Sequence, residues 1–198
     1  MIIVNASARW NRALYQFEKT KDYEAFRDAL IPLSQQKLHF VIRMKAEVNL
    51  TWIYSYLGQS QEAKEVCKKI IAKNKNLIGT SMAYATLIQE LILEGDLEEA
   101  KKQWKDAMEI ADADGRKAPL ESLKLHLYGD ILQEQYEQGL QRLADVPRSQ
   151  EKWAQESEAG TFWNWYLRDK LQQDASEYRR KLEAIQDLHR GYAKYLNQ

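Results

Sequence analysis

The sequence predicts an all-α fold, on three observations. Apolar residues recur at three- and four-residue intervals from end to end, the mark of helices with one buried face. Only three prolines and eight glycines punctuate the 198 residues, too few for the turns of a strand-rich fold. Two stretches also match at an offset of 37 residues, as in a chain built from repeated helix pairs.

About ten helices are expected, paired as about five antiparallel hairpins, because short breaks leave consecutive helices adjacent. The first pair is expected from about Ala6 to Glu18 and Asp22 to Ile31. Trp10, Leu14 and Phe17 form its first stripe, and Pro32 ends or kinks its second helix. The next pair covers about Lys37 to Leu57 and Ser60 to Asn74, with Gly58 suited to a helix end and Ser60 to a cap. The third covers about Leu77 to Glu94 and then starts again at Asp96, where Asp96 and Glu99 read as a capping box. The fourth covers about Pro119 to Gln133 and Tyr136 to Val146. Pro119 fits a first turn and Pro147 a stop. The fifth is expected as two long helices, about Gln150 to Leu171 and Asp174 to Leu196. Asp174 and Glu177 read as another capping box, and Tyr178, Leu182, Ile185, Leu188 and Tyr192 as one buried stripe. No linker interrupts this series, so residues 1–198 are expected to form one domain.

Composition narrows the function. Hydrophobic residues make up 44% and charged residues 29%, as in an ordinary globular protein and unlike a disordered one. Lys+Arg and Asp+Glu both number 29, whereas a dedicated nucleic-acid binder needs a basic excess to neutralise phosphates. The single cysteine, Cys67, has no partner for an internal disulfide, which fits a reducing, cytoplasmic setting. No apolar run reaches the roughly 20 residues that span a bilayer. Ile2, Ile3 and Val4 read as a staple on the first helix. The alternative is the stub of a removed N-terminal anchor, which would make this the soluble part of a membrane-anchored protein.

The repeated stretches carry the most information. The first contains Leu50, Tyr54, Gly58, Ala63, Cys67 and Ile70; the second contains Leu87, Leu91, Gly95, Ala100, Trp104 and Ala107. Each matched position has a physical role. The leucines pack the first helix on its partner, the glycines permit a tight turn, and the alanines let two helices approach closely. Trp104, with Cys67 as its smaller counterpart, fills the gap toward the next pair. This pattern resembles the tetratricopeptide repeat: Gly95-Asp96-Leu97-Glu98-Glu99-Ala100 looks like that family's turn signature, and Tyr84 sits where a large aromatic is usual. The clearest repeats are residues 44–76 and 81–114, and residues 150–198 read as a degenerate or capping pair. The resemblance implies an α-solenoid, a right-handed superhelical array of about five hairpins.

Residues with chemical potential are scattered. His39, His126 and His189 fall in different hairpins, none with a His or Cys at zinc-ligand spacing. Cys67 reads as a small buried hydrophobe. Asp112, Asp114, Gly115 and Glu121 match four positions of a calcium-binding loop, but Ile110 stands where the first ligand must be. Lys64, Lys68, Lys69, Lys73 and Lys75 form a basic strip that reads as a solvated convex face. Trp163 and Trp165 are two residues apart on one helix and so point about 200° apart. One is expected to pack inward and the other to be exposed or to cover a groove.

No nucleophile elbow, phosphate loop or metal set is present, so the chain is expected to be neither an enzyme nor a cofactor binder. The resemblance implies a protein or peptide partner held in a concave groove lined by the first helix of each pair. Carried onto this sequence, the groove residues are Lys45, Asn49, Trp52 and Tyr56, then Met82, Thr86 and Gln89, with Asn11 and Tyr15 from the first pair. Lys45 and Asn49 match part of the family's carboxylate clamp for chaperone tails. Met82, Ala85 and Thr86 do not, so such a tail is not expected. A scaffold or adaptor is the leading reading; the alternative is a peptide-sensing regulatory module of a larger signalling or transcription system.

Overall fold

The computed structural model describes residues 2–36, 40–73, 78–114 and 118–197. Among the described residues the regular structure is entirely helical. The helices are α1 (Ile2–Thr20), α2 (Tyr23–Ser34), α3 (Phe40–Tyr56), α4 (Ser60–Lys73), α5 (Ile78–Glu94), α6 (Leu97–Asp114), α7 (Pro119–Leu132), α8 (Tyr136–Ala144), α9 (Arg148–Glu151), α10 (Glu158–Lys170), α11 (Ser176–Glu183) and α12 (Arg190–Leu196). A π-helical segment, Lys152–Glu156, joins α9 to the residues before α10.

Consecutive helices pack on each other from α1 to α8, and α3, α5 and α7 also lie side by side. The sequence explains the two layers. Helices α5 and α7 are apolar on most sides, as helices covered on several faces must be. Helix α4 buries only Ala63, Cys67 and Ile70, one stripe facing inward. Ala63 and Ala100 are both 0% exposed, as their place at the helix crossings requires. Cys67 is buried too, and desolvation pushes its thiol well above the usual range.

The repeat extends beyond the two clear copies. Among the described residues, five helix ends close on a residue in the left-handed region: Lys21, Gly58, Gly95, Glu134 and Gln172, spaced 37, 37, 39 and 38 residues apart. At Gly58, Gly95, Glu134 and Gln172 the same two backbone bonds follow. Gly58 N–H donates to the Ser55 carbonyl and Gln59 N–H to that of Tyr54; the other three ends copy this. The pair of bonds is a Schellman motif, which satisfies carbonyls left free at a helix end. Three of the five positions lack glycine, so the turn recurs where its usual residue does not.

Several boundaries differ from expectation. Pro32 lies inside α2 without ending it; the ring costs only a bond in the last turn. The last pair is not two long helices. The backbone turns extended at Ser157, whose hydroxyl oxygen accepts from Gly160 N–H at 3.0 Å and starts α10 afresh. A Cβ on Gly160 would sit 2.3 Å from the Trp153 carbonyl oxygen, so only glycine lets the two segments cross. Ala175, not Asp174, is the N-cap of α11; Asp174 accepts from Ser176 N–H from one residue earlier, and Glu177 pairs with Lys181 instead of closing a capping box. The expected Tyr178-to-Tyr192 stripe is split between α11 and α12 by residues 184–189. Trp163 and Trp165 are both buried, at 0% and 7% exposure. Helix α10 has cover on more than one side, because it packs on α8 and α11 while Tyr192 and Tyr195 of α12 close over its rings. The side chains of residues 2–4, His39, Lys75, and Asp112, Asp114 and Gly115 of the candidate calcium loop lie outside the described residues.

Two substitutions test this architecture. Ala100→Leu should destabilise by about 1–3 kcal/mol through overpacking. Glu134→Gly should instead stabilise by up to about 1 kcal/mol, because glycine adopts the left-handed conformation without the Cβ clash. Urea unfolding of both variants against the parent checks the signs.

Candidate functional site

Helix α3 has two distinct buried faces. Ala46, Leu50, Ile53 and Leu57 join an apolar cluster with Trp10, Phe26, Leu30 and Leu33 of α1 and α2. Glu47, Thr51 and Ser55, each four residues apart and all buried, form a polar stripe. Most of the remaining core belongs to a second cluster spanning α4 to α12. Helix α5 approaches closely, since a Cβ on Gly79 would sit 2.8 Å from a Val48 methyl carbon.

Thr51 and Ser55 are hydrogen-bonded, and Glu47 is ion-paired. Glu47 pairs with Lys69 at 3.2 Å and Lys73 at 3.8 Å, and Lys64 pairs with Glu94 at 2.6 Å, so part of the basic strip faces carboxylates. The Thr51 hydroxyl donates to the Val48 carbonyl. Ser55 is the centre. Its hydroxyl donates to Glu90 Oε1 at 2.5 Å, accepts from Gln89 Nε2 at 3.3 Å and lies 2.9 Å from His189 Nε2. Gln89 Oε1 accepts from the hydroxyls of Tyr128 and Tyr192 at 3.0 and 3.1 Å.

His189 and Tyr192 come from the far end of the chain, and α12 packs on α3 and α5. His189 is 6% exposed although it lies 134 residues from Ser55. The segment before α12 is held by its backbone. Tyr56 donates its hydroxyl to the Asp187 carbonyl, and His189 N–H donates to Glu158 Oε1 at 2.5 Å. Arg190 reaches the Leu57 carbonyl at 3.4 Å and Glu24 at 3.1 Å.

Aromatic rings continue the same path. Phe162 stacks on Tyr192 at 4.0 Å, and Tyr192 stacks on His189 at 4.2 Å. His189 meets Tyr56 edge-on at 5.5 Å, and Tyr56 stacks on Tyr23 at 3.8 Å. Tyr23 meets Phe17 and Trp52. Offset and edge-on pairs of this kind add about 0.5–1.5 kcal/mol each beyond burial.

The sequence-derived groove residues divide accordingly. Gln89 and Tyr56 hold the α12 segment. Trp52 is half-buried against Phe17 and Tyr23, with its ring N–H on Asn49 Oδ1 at 3.1 Å. Asn49 donates in turn to the Lys45 carbonyl. Lys45 and Asn11 are exposed, Met82 and Thr86 are half-buried, and Tyr15 is 57% exposed beneath Lys19. Sequence reasoning missed His189, Tyr192 and Ser55 as one group. The four-residue spacing of Glu47, Thr51 and Ser55 was the legible signal; nothing local marks the return of α12.

The network does not assemble a nucleophile. His189 Nδ1 accepts from Gly191 N–H at 3.1 Å, so the ring proton lies on Nε2 and is donated to Ser55. The Ser55 proton goes to Glu90. A Ser–His nucleophile needs the opposite direction, with the ring accepting from the hydroxyl. Among the described residues no group of three or more His, Cys, Asp or Glu side chains is placed to hold a metal. Comparison with family models, curated proteins and solved structures finds no match.

Burial pushes His189 down to about 3 from 6.5, because the enclosed site disfavours imidazolium. The unfolded chain therefore binds a proton that the native chain refuses, and stability falls as pH drops below 6.5. Glu90 and Glu158, which face the histidine from α5 and α10, are raised by burial and act in the opposite sense. Comparison with His189→Asn isolates the ring. The stability deficit of this variant should be largest above pH 6.5 and narrow by up to about 1.4 kcal/mol per pH unit below it. A deficit that stays constant in urea titrations from about pH 8 to 5 would show that the ring is not held neutral.

Proposed function

We propose that this chain is a protein-binding helical-repeat module, similar in plan to tetratricopeptide arrays, and works as a scaffold or adaptor without catalysis. In this reading the helix pairs form a solenoid whose first helices, α3 and α5 above all, offer the binding face.

One observation carries the reading. The α3–α5 face and its neighbours already grip a peptide segment, residues 187–192 of the same chain, and do so through its backbone as well as its rings. Tyr56 and Glu158 take a carbonyl and an N–H of that segment, while Gln89 and Ser55 take its side chains. Backbone bonds combined with side-chain pockets are the usual means of peptide recognition. Lys45, Asn49, Met82 and Thr86 extend the same two helices toward their N-terminal ends. The Ser55–His189–Glu90 proton order and the scattered histidines favour binding over hydrolysis.

Panning a displayed random-peptide library against the full chain tests this. Enriched peptides should lose at least tenfold in affinity on Gln89→Ala and a smaller factor on Lys45→Ala, with urea stability measured separately. Peptides indifferent to Lys45, Asn49, Thr86 and Gln89 together would overturn the assignment of the face.

A further inference from the structure

We propose that residues 187–196 are a built-in competitor for the α3–α5 face, displaced by a partner segment that presents two rings three residues apart at the start of a helix. The inference rests on the binding reading above and adds what occupies the face at rest and what chemistry replaces it. Its template is the occupant itself. His189 and Tyr192 sit at positions i and i+3 and stack at 4.2 Å, so both rings face the array.

The array can release this segment without orphaning its own buried groups. With α12 gone, Ser55 still donates to Glu90, Gln89 still donates to Ser55, and Tyr128 still donates to Gln89. At this seam the hydrogen bonds from His189 and Tyr192 are lost and the polar groups they met regain water. The rings of Phe162 and Trp165 under Tyr192 and Tyr195 are uncovered too, so the displacing segment must cover them with rings of its own. The segment has little to hold it once it lifts. Helix α12 is seven residues long, well below the length at which an isolated helix is stable in water. Residues 184–189 before it are not helical and form the natural hinge. Its outer tie, Arg190 to Glu24, is an ion pair with both side chains more than half exposed, which contributes little.

An entry point lies beside the hinge. A cleft of about 410 Å³ opens between the α1–α2 turn and the returning segment, bounded by Lys21, Tyr23, Glu24, Tyr56, Asp187 and Arg190. A partner entering there meets the edge of the aromatic ladder first, where Tyr56 stacks on Tyr23. What holds the segment down is the burial of Tyr192 against Phe162. A competitor must therefore bring an aromatic ring to that position and a hydrogen-bonding ring one turn earlier.

The test uses the full chain and a synthetic peptide of residues 184–198. In hydrogen exchange on the parent protein, amides of 190–196 should exchange at least tenfold faster than those of α5. The labelled peptide should bind His189→Ala/Tyr192→Ala protein at least tenfold tighter than the parent, whose face is already filled. A peptide carrying the same two substitutions should bind neither. Three results would overturn the proposal: exchange of 190–196 only with α5, no preference of the peptide for the variant, or loss of α3–α5 protection in the variant. Failure of any library peptide to enrich would count against the binding reading alone, since the exchange and peptide results judge the competitor independently.

Discussion

The Ser55 hydroxyl is the point on which the centre of this molecule turns. It lies between two apolar clusters, where an unanswered polar group would cost about 1–3 kcal/mol. Its single proton goes to the buried carboxylate of Glu90, and its lone pairs receive Gln89 and His189. Three helices are thereby placed at once: α3 carries the serine, α5 the acid and amide, and the approach to α12 the histidine. Gln89 brings in α7 through Tyr128. A network whose members all satisfy one another specifies a single arrangement more sharply than apolar packing does.

That network joins helices that are far apart in the chain. In an open array each pair touches only its neighbours, and stability is close to a sum of local terms. Here the last helix returns across the first helices, and a ladder of rings links Phe162 on α10 to Tyr23 on α2 by way of Tyr192, His189 and Tyr56. The two ends of the chain therefore share contacts. The start of α2 touches the returning segment directly, with Tyr23 stacked on Tyr56, which bonds Asp187, and Glu24 paired with Arg190.

The same molecule keeps its period where the residues lapse. Gly58 and Gly95 take the left-handed turn freely, whereas Lys21, Glu134 and Gln172 take it against the clash of their own Cβ. The packing on either side over-determines these turns, so the backbone accepts a local cost that a short peptide would avoid. Gly139 shows the complementary case. It stands where the good repeats have alanine, and a Cβ there would come within 3.1 Å of Leu167, because α10 presses on α8.

Much of the fold was legible in residue order because helices α1 to α8 are local objects. Their stripes, caps and breaks lie within one or two turns of each other, and the Leu50/Leu87, Gly58/Gly95 and Ala63/Ala100 matches marked which faces meet. The candidate face was legible only in part. Position along α3 and α5 pointed to Gln89 and Tyr56, but not to what fills the space above them. The cover over Trp165 and the meeting of His189 with Ser55 depend on α12 folding back across the break at residues 184–189. Periodicity cannot report that return: Tyr178, Leu182, Ile185, Leu188 and Tyr192 keep helical spacing straight through the break. An apolar stripe records that a face is buried, whereas the partner that buries it is chosen by contacts 134 residues apart, which no local pattern encodes.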